Sequence, residues 1–313
     1  MAGAGVATVI DRFVTSRDVS AALEGGRPVV AIETSVIGQG LPHPRNLECI
    51  ERMSGAIGAQ GALPAWIGVV DGAIDVGLTG EELARFVVPG AATKVARRDL
   101  PMALANGTLG ATTVSAAIWA AATAGIAVVA TGGIGGVHSG TLDVSADLLE
   151  LARTPVLLVC SGPKSIVDPV ATAEKLEELG VAVVGYRCEH LPFFFAREAD
   201  VDLEHRADTP TDVAVIANAR AEIAARSAIL LCNPVPLSFA MDPTEVAEAT
   251  RACEAEARRR EIHGKGRTPF LLSCMAQRTE GRSLEANLAL LEANAALAAE
   301  VAVALVAPPA TDP

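Results

Sequence analysis

Lys164 stands in "VLLVCSGPKSIVD", residues 156–168, where five apolar residues run into a small-residue turn and then an amine. The pattern predicts a strand, a turn, and a helix starting directly after the lysine. A helix start carries unpaired N–H groups and the positive end of the macrodipole, so a cation there is mildly disfavoured. Either this lysine reaches into water, or it is an amine kept partly unprotonated so that it can attack an electrophile. Glu33 follows the apolar run "RPVVAI" and is next to Thr34 and Ser35. A carboxylate at a strand end can serve as a general acid or base, and equally as a cap or ion-pair partner. Lys94, Arg97 and Arg98 crowd together in "AATKVARRDLP". Lys94 could hold a phosphate or a ring oxygen, or the three could form a solvated basic cluster.

Three small-residue segments add to this set. "GTLGATTVSAA" is a loop feeding a helix, and its backbone N–H groups with the Thr112 and Thr113 hydroxyls suit phosphate or an ordinary cap. No GK[ST] follows the glycines, so it is not a P-loop. "ATGGIGGVHSG" resembles half of a dinucleotide fingerprint, but His138 stands where the third glycine belongs, which argues against a nicotinamide site. Its glycines let a backbone approach a ligand closely, with His138 placed to touch it. "DVSAD" offers Asp143, Ser145 and Asp147 at alternate positions, a set suited to a hard divalent cation, to sugar hydroxyls, or to a helix N-cap.

These segments need a scaffold that brings them together. Short apolar runs alternate with helical patterns: "RPVVAI", "GIAVVA", "TPVLLVC", "VAVVGY" and "SAILLC" read as strands. "AWIGVVDGAIDVGLT" reads as a hairpin about an Asp-Gly turn. "GEELARFV", "TTVSAAIWAAATA", "VSADLLELAR", "SIVDPVATAEKLEELG", "TDVAVIANARAEIAAR" and two long C-terminal segments read as helices. Continuous apolar strands separated by helices imply a largely parallel sheet covered on both faces. Ligands of such sheets sit beyond the carboxyl ends of the strands, where "ETSVIGQGLPHP", "TGGIGGVHSG", "CSGPKS" and "CNPVP" all fall.

Composition bounds the rest. Of 313 residues half are apolar but only 3% aromatic, so Ala, Val, Leu and Ile must fill the core. A formal charge of −12 without a basic stripe speaks against nucleic acid as a partner. The uncharged stretch between Asp99 and Asp143 is broken by Gly125 and the glycines at 132–136, so no membrane span is expected there. The start of the chain does not read as a signal peptide, and the six cysteines show no CxxC spacing. They are expected to be reduced thiols in a cytoplasmic protein. One domain over 1–307 is expected, with a disordered tail at 308–313.

In this order, "AIETSVIGQGLPHPRN", "KVARRDLP", "GATTVSAA", "ATGGIGGVH", "DVSADLLEL", "VCSGPKSIVD", "VVGY", "NPVP", "TPFLL" and "SLEANLAL" resemble the pseudouridine-5′-phosphate glycosidase family over about residues 10–307. The resemblance implies a single-domain α/β/α sandwich, commonly a homotrimer, and a Mn²⁺-dependent enzyme that reversibly cleaves the C–C bond between uracil and ribose 5-phosphate. It implies that Lys164 forms a Schiff base with C1′ of the ring-opened sugar and that Glu33 is the acid. Lys94, Thr112, Thr113, Val114, Ser145, Ala146 and Asp147 are implied contacts of the sugar phosphate. Thr131, His138 and Asn287 are implied to line the base site, and Asp143 to bind the metal. A C-glycosidic bond has no heteroatom leaving group to protonate, so an iminium must act as the electron sink. Burial beside Lys94 and a helix start would each favour the neutral amine that this needs.

The departures from the family pattern bear on the aglycone more than on the chemistry: Gly38-Gln39-Gly40 replaces a segment that usually carries histidine, Ser139 stands in a shortened loop, and Phe195 replaces a tyrosine. They leave room for an alternative, a C-glycosynthase joining ribose 5-phosphate to a polycyclic aromatic acceptor. A non-catalytic phosphosugar-binding protein is the rival from another class.

Overall fold

The computed structural model describes residues 12–138, 143–262 and 264–307. The expectations for the extreme N-terminus, for the shortened loop after His138 and for the 308–313 tail lie outside the described residues. Among the described residues eleven strands form one sheet: β1 (Phe13–Thr15), β2 (Val29–Glu33), β3 (Leu63–Val70), β4 (Ala73–Val76), β5 (Thr93–Val95), β6 (Gly110–Thr112), β7 (Val128–Ala130), β8 (Leu157–Cys160), β9 (Ala182–Tyr186), β10 (His205–Ala207) and β11 (Ile229–Cys232). Their order is β1-β4-β3-β2-β7-β8-β11-β9-β10, with β6 branching from β3 and β5 pairing β6. Pairing is parallel except at β3–β4 and β3–β6.

The apolar runs explain the layers. β2, β7, β8 and β11 are buried at every position, and successive side chains face opposite ways. Val30, Ile32, Leu157, Val159, Ile229 and Leu231 enter one core, with α2 (Arg45–Ala59), α8 (Pro210–Glu222) and α11 (Arg282–Val306) packed over it. Val29, Ala31, Leu158, Cys160, Leu230 and Cys232 enter the other. There α1 (Arg17–Glu24), α5 (Val114–Ala124), α6 (Ala146–Leu151) and α7 (Pro169–Glu178) cover the sheet. In α5 the buried residues are Val114, Ser115, Ala116, Ala117, Ile118, Ala120 and Ala121, so mostly small side chains close a core poor in aromatics. The architecture is the expected helix–sheet–helix sandwich. α11 is long and apolar enough to cross a membrane, yet 56% of its most apolar window is buried against the protein itself.

The hairpin forms as its Asp-Gly pair predicts. Asp71 and Gly72 both take positive φ, 49° and 84°, as a type I′ turn requires. α3 (Gly80–Phe86) follows, closed by a reciprocal Thr79–Glu82 cap.

Two expectations are corrected. The helix after Lys164 begins at Pro169, with Asp168 as its N-cap accepting from the Ala171 N–H at 3.0 Å. Proline suits the first helical position and biases the residue before it away from helical φ/ψ, so the boundary moves to 168 and Lys164 is left in a loop. Nor are all six cysteines free. Cys253 on α9 (Pro243–Arg259) and Cys274 on α10 (Arg267–Arg278) are joined as a disulfide, because the two helices pack side by side and bring their Cα atoms to 5.7 Å. Cys49, Cys160, Cys188 and Cys232 remain thiols, and burial pushes Cys188 up to about 11.

Asp75, half-buried on β4, has its carboxyl raised from 3.8 to about 6, first by burial and then by Glu82 and Asp71. Below pH 3.8 the group is protonated in both folded and unfolded chains. As pH rises to about 6, the unfolded chain ionises first and stability falls. Asp75→Asn is therefore expected to leave Tm nearly unchanged at the acid end of this window and to raise it above pH 6. Thermal melts of both proteins across the range check this.

Candidate active site

The carboxyl ends of β2, β7 and β8 lie side by side, and the loops that leave them build the site. Glu33, the last residue of β2, is 3% exposed. Beyond it the chain makes one wide helical turn, Val36–Gly40, which folds donors back over the carboxylate. Oε2 accepts from the Ser35 hydroxyl at 2.7 Å and the Val36 N–H at 3.0 Å, and Oε1 accepts from the Thr131 hydroxyl at 3.3 Å. Three donors hold a buried carboxylate in place without a cation among these hydrogen bonds.

The loops after β7 and β8 are zipped together. The Ile134 N–H donates to the Gly162 carbonyl, and the Lys164 N–H donates back to Ile134 at 3.0 Å. Asn294 of α11 donates to the Thr131 carbonyl at 2.9 Å and also reaches Gly132 and Ser161. Close approach explains the glycines. A Cβ on Gly136 would lie 2.2 Å from the Thr172 hydroxyl, and one on Gly162, at φ +75°, 1.9 Å from the Pro192 carbonyl. Gly136, one of the glycines expected to admit a ligand, thus admits neighbouring protein instead. Gly132, Gly133 and Gly135 do border the cavities.

Two cavities meet at Lys164. The inner one is lined by Glu33, Thr131 and Asn287 together with Val36, Gln39, Gly132, Gly133, Phe194, Pro269 and Leu272. The outer one is lined by Thr113, Val114, His138, Asp143, Ser145, Ala146, Asp147, Arg98 and Arg267. Ser35, Lys94, Lys164 and Thr268 border both. Nearly all the sequence-predicted residues thus converge, and they sort into two compartments. Beyond Gln39, Gly40, Pro269, Leu272 and Asn287 a further groove opens, walled by Leu41, Pro42, Val87 and Phe195.

Two placements differ from expectation. Thr112 borders neither cavity. It is fully buried and exchanges hydrogen bonds with Thr34, whose hydroxyl accepts from the Thr112 N–H at 3.0 Å, because the C-terminal end of β6 packs against β2 and β3. His138, implied for the base end, borders the outer cavity instead, 3.9 Å from Glu254. Its imidazole is pushed toward the neutral form, first by burial and then by Arg267.

The "DVSAD" segment is largely spent on structure. Asp147 accepts from the Ser115 N–H at 2.9 Å, capping α5, and from the Gly135 N–H at 3.0 Å. Ser145 caps α6 by accepting from the Asp147 N–H. Thr113 precedes α5, but its hydroxyl pairs with Ser115 at 3.0 Å and does not cap the helix. No three His, Cys, Asp or Glu among the described residues converge as metal ligands. Asp143, 49% exposed, remains, and one of its oxygens lies 4.0 Å from the Arg267 guanidinium. These residues do not fit a Mn²⁺ ion caged by protein ligands. Sequence reasoning noted Ser35 only as a neighbour of Glu33 and passed over Asn294 and Arg267. Only the quoted "TPFLL" pointed toward the α10 edge of the site.

A profile described as "Indigoidine synthase A like protein" matches residues 18–304. A pseudouridine-5′-phosphate glycosidase of Saccharopolyspora erythraea is 46% identical over 295 residues, 93% of this chain and 97% of that protein. One from Herpetosiphon aurantiacus is also 46% identical, covering 94% and 98%. The crystal structure of an indigoidine synthase A-like protein from Thermotoga maritima superposes with a TM-score of 0.87 at 38% identity, covering 94% of this chain and 97% of that one. The prealnumycin C-glycosynthase AlnA, crystallised with ribulose 5-phosphate, superposes with a TM-score of 0.86 at 37% identity, covering 95% and 97%. The chain belongs to the indigoidine synthase A-like family, the family of the pseudouridine-5′-phosphate glycosidases, and it is an enzyme of that kind.

Removing the Asp147 carboxylate strands two backbone donors. Asp147→Ala is expected to cost about 3 kcal/mol of folding stability, since each lost charge-assisted hydrogen bond is worth about 1.5–3 kcal/mol. Urea unfolding read by circular dichroism measures this.

Proposed function

We propose that this enzyme reversibly breaks the C–C bond between a base and ribose 5-phosphate, with pseudouridine 5′-phosphate as the substrate. The observation that carries the reading is that Glu33 and Lys164 border one inner cavity while Lys164 and Lys94 also border the outer one. The base enters the inner cavity between Thr131, Asn287 and Phe194. The sugar phosphate takes the outer cavity, beside Val114, Thr113 and Ser145–Asp147. The curated relatives' name and the AlnA complex support the assignment.

The Lys164 amine, in its neutral form, adds to C1′ as the C1′–O4′ bond breaks, and O4′ takes a proton. The nitrogen lone pair then forms C=N as the C1′–C5 electron pair leaves with uracil. C5 receives a proton from Glu33, which Ser35, Val36 and Thr131 hold in position. Water adds to the iminium carbon and releases ribose 5-phosphate and the free amine, and the proton set free in that step returns to Glu33, restoring the acid for the next turnover. Run backwards, the same steps join a base to the sugar. Lys94, at the junction of the two cavities, holds the sugar.

A second reading, C-glycosynthesis on a larger aromatic acceptor, is favoured by the groove beyond Gln39, which extends the base end of the inner cavity. The homotrimer and a cytoplasmic location are proposed from the resemblance. Light scattering should then give three times the 32.0 kDa chain mass.

Incubation with pseudouridine 5′-phosphate should release uracil, and Lys164→Ala should lower the rate by at least about a thousandfold, as loss of a covalent nucleophile does. Glu33→Gln should retain borohydride trapping of ribose 5-phosphate on Lys164 while losing uracil release. A trapped adduct without uracil would shift the assignment to the synthase reading. Neither adduct nor uracil would remove both and leave a sugar-phosphate binder.

A further inference from the structure

Arg267 is the first residue of α10, and its side chain, 12% exposed, enters the outer cavity. Nη2 is held by Glu254 of α9 at 2.6 Å, an ion pair in which both partners are largely buried. Nη1 lies 4.0 Å from Asp143, while Nε is buried with no hydrogen-bond partner among the described residues. Glu254 follows Cys253, whose disulfide to Cys274 ties α9 to α10. The guanidinium is thus anchored from behind and presented to the cavity that also holds Lys94, Lys164 and Asp143.

This is the place where the family resemblance calls for a divalent cation on Asp143. A cation held by one carboxylate and otherwise by water is disfavoured by fixed positive charge close to that carboxylate. Here a guanidinium, permanently protonated, faces that carboxylate and cannot easily withdraw, because Glu254 holds it. Its planar fork of N–H donors suits the oxygens of phosphate and of carboxylate alike. Asp143 and Glu254 offset its charge in the empty cavity, and a phosphorylated ligand would add anionic oxygens beside the same group.

We propose that Arg267 supplies the fixed positive charge of the sugar-phosphate cavity in place of a metal ion, so that the enzyme binds ribose 5-phosphate without a divalent cation. The ligand's name rests on the function proposed above; the metal measurement does not.

Metal-stripped enzyme is titrated with Mn²⁺ and free Mn²⁺ is read by electron paramagnetic resonance. Ribose 5-phosphate binding is measured by calorimetry in the presence of chelator. Wild type is expected to leave Mn²⁺ free and to bind the sugar phosphate. Arg267→Met should weaken that binding at least about tenfold, the loss of one charge-assisted contact, and Arg267→Lys should restore part of it. Stoichiometric Mn²⁺ uptake by wild type that disappears in Asp143→Asn would overturn the inference. So would sugar-phosphate binding that requires Mn²⁺, or binding by Arg267→Met as tight as wild type in chelator. The wild-type titration decides the metal question even where a variant fails to fold. Metal-free binding of ribose 5-phosphate with no uracil release would count against the glycosidase assignment alone.

Discussion

The pairing of β7 between β2 and β8 is the constraint on which the site depends. Val30 pairs with Val128, Ala130 with Val159, and both pairs are parallel. Parallel pairing brings the three carboxyl ends to one edge, so Glu33, Thr131 and the Lys164 loop leave the sheet as neighbours. The register is held by burial on both faces, because a slip by one residue would exchange the two cores. The loops then need no long reach. Backbone hydrogen bonds between residues 134 and 162–164 continue the sheet for one more step before the chains part.

Charge is managed locally. A chain with net charge −12 gathers Lys94, Arg98, Lys164 and Arg267 around one cavity. Of the carboxylates on the same lining, Asp147 is engaged by backbone donors, Asp99 accepts from the Ala96 N–H, and Asp143, half-exposed, lies 4.0 Å from Arg267. An anionic ligand therefore meets a concentration of cationic groups that the net charge of the molecule would not suggest.

The strands were legible in the sequence because their apolar runs are continuous, and the hairpin because Asp71-Gly72 admits few other turns. Glu33 and Lys164 were legible as strand-end residues of unusual type. What was not legible depends on contacts between distant segments. The helix onset at Pro169 takes Lys164 away from the helix terminus, so the position that looked electrostatically awkward is an ordinary loop position beside two cavities. Thr112 and Thr113 look alike in sequence, and only the burial of the β6 end separates them. Asp147 reads as a ligand until the α5 terminus is seen resting on it. The Cys253–Cys274 pair, 21 residues apart, follows from helix packing that no spacing rule encodes.

The two cavities communicate across a border formed by Ser35, Lys94, Lys164 and Thr268. A molecule that fills both must be two-lobed, with its waist at the lysines. The waist of such a molecule is the bond joining its lobes. Selection by this site is therefore a matter of outline before it is a matter of functional groups: whatever the lobes are, the atom delivered to the amine is the one that links them.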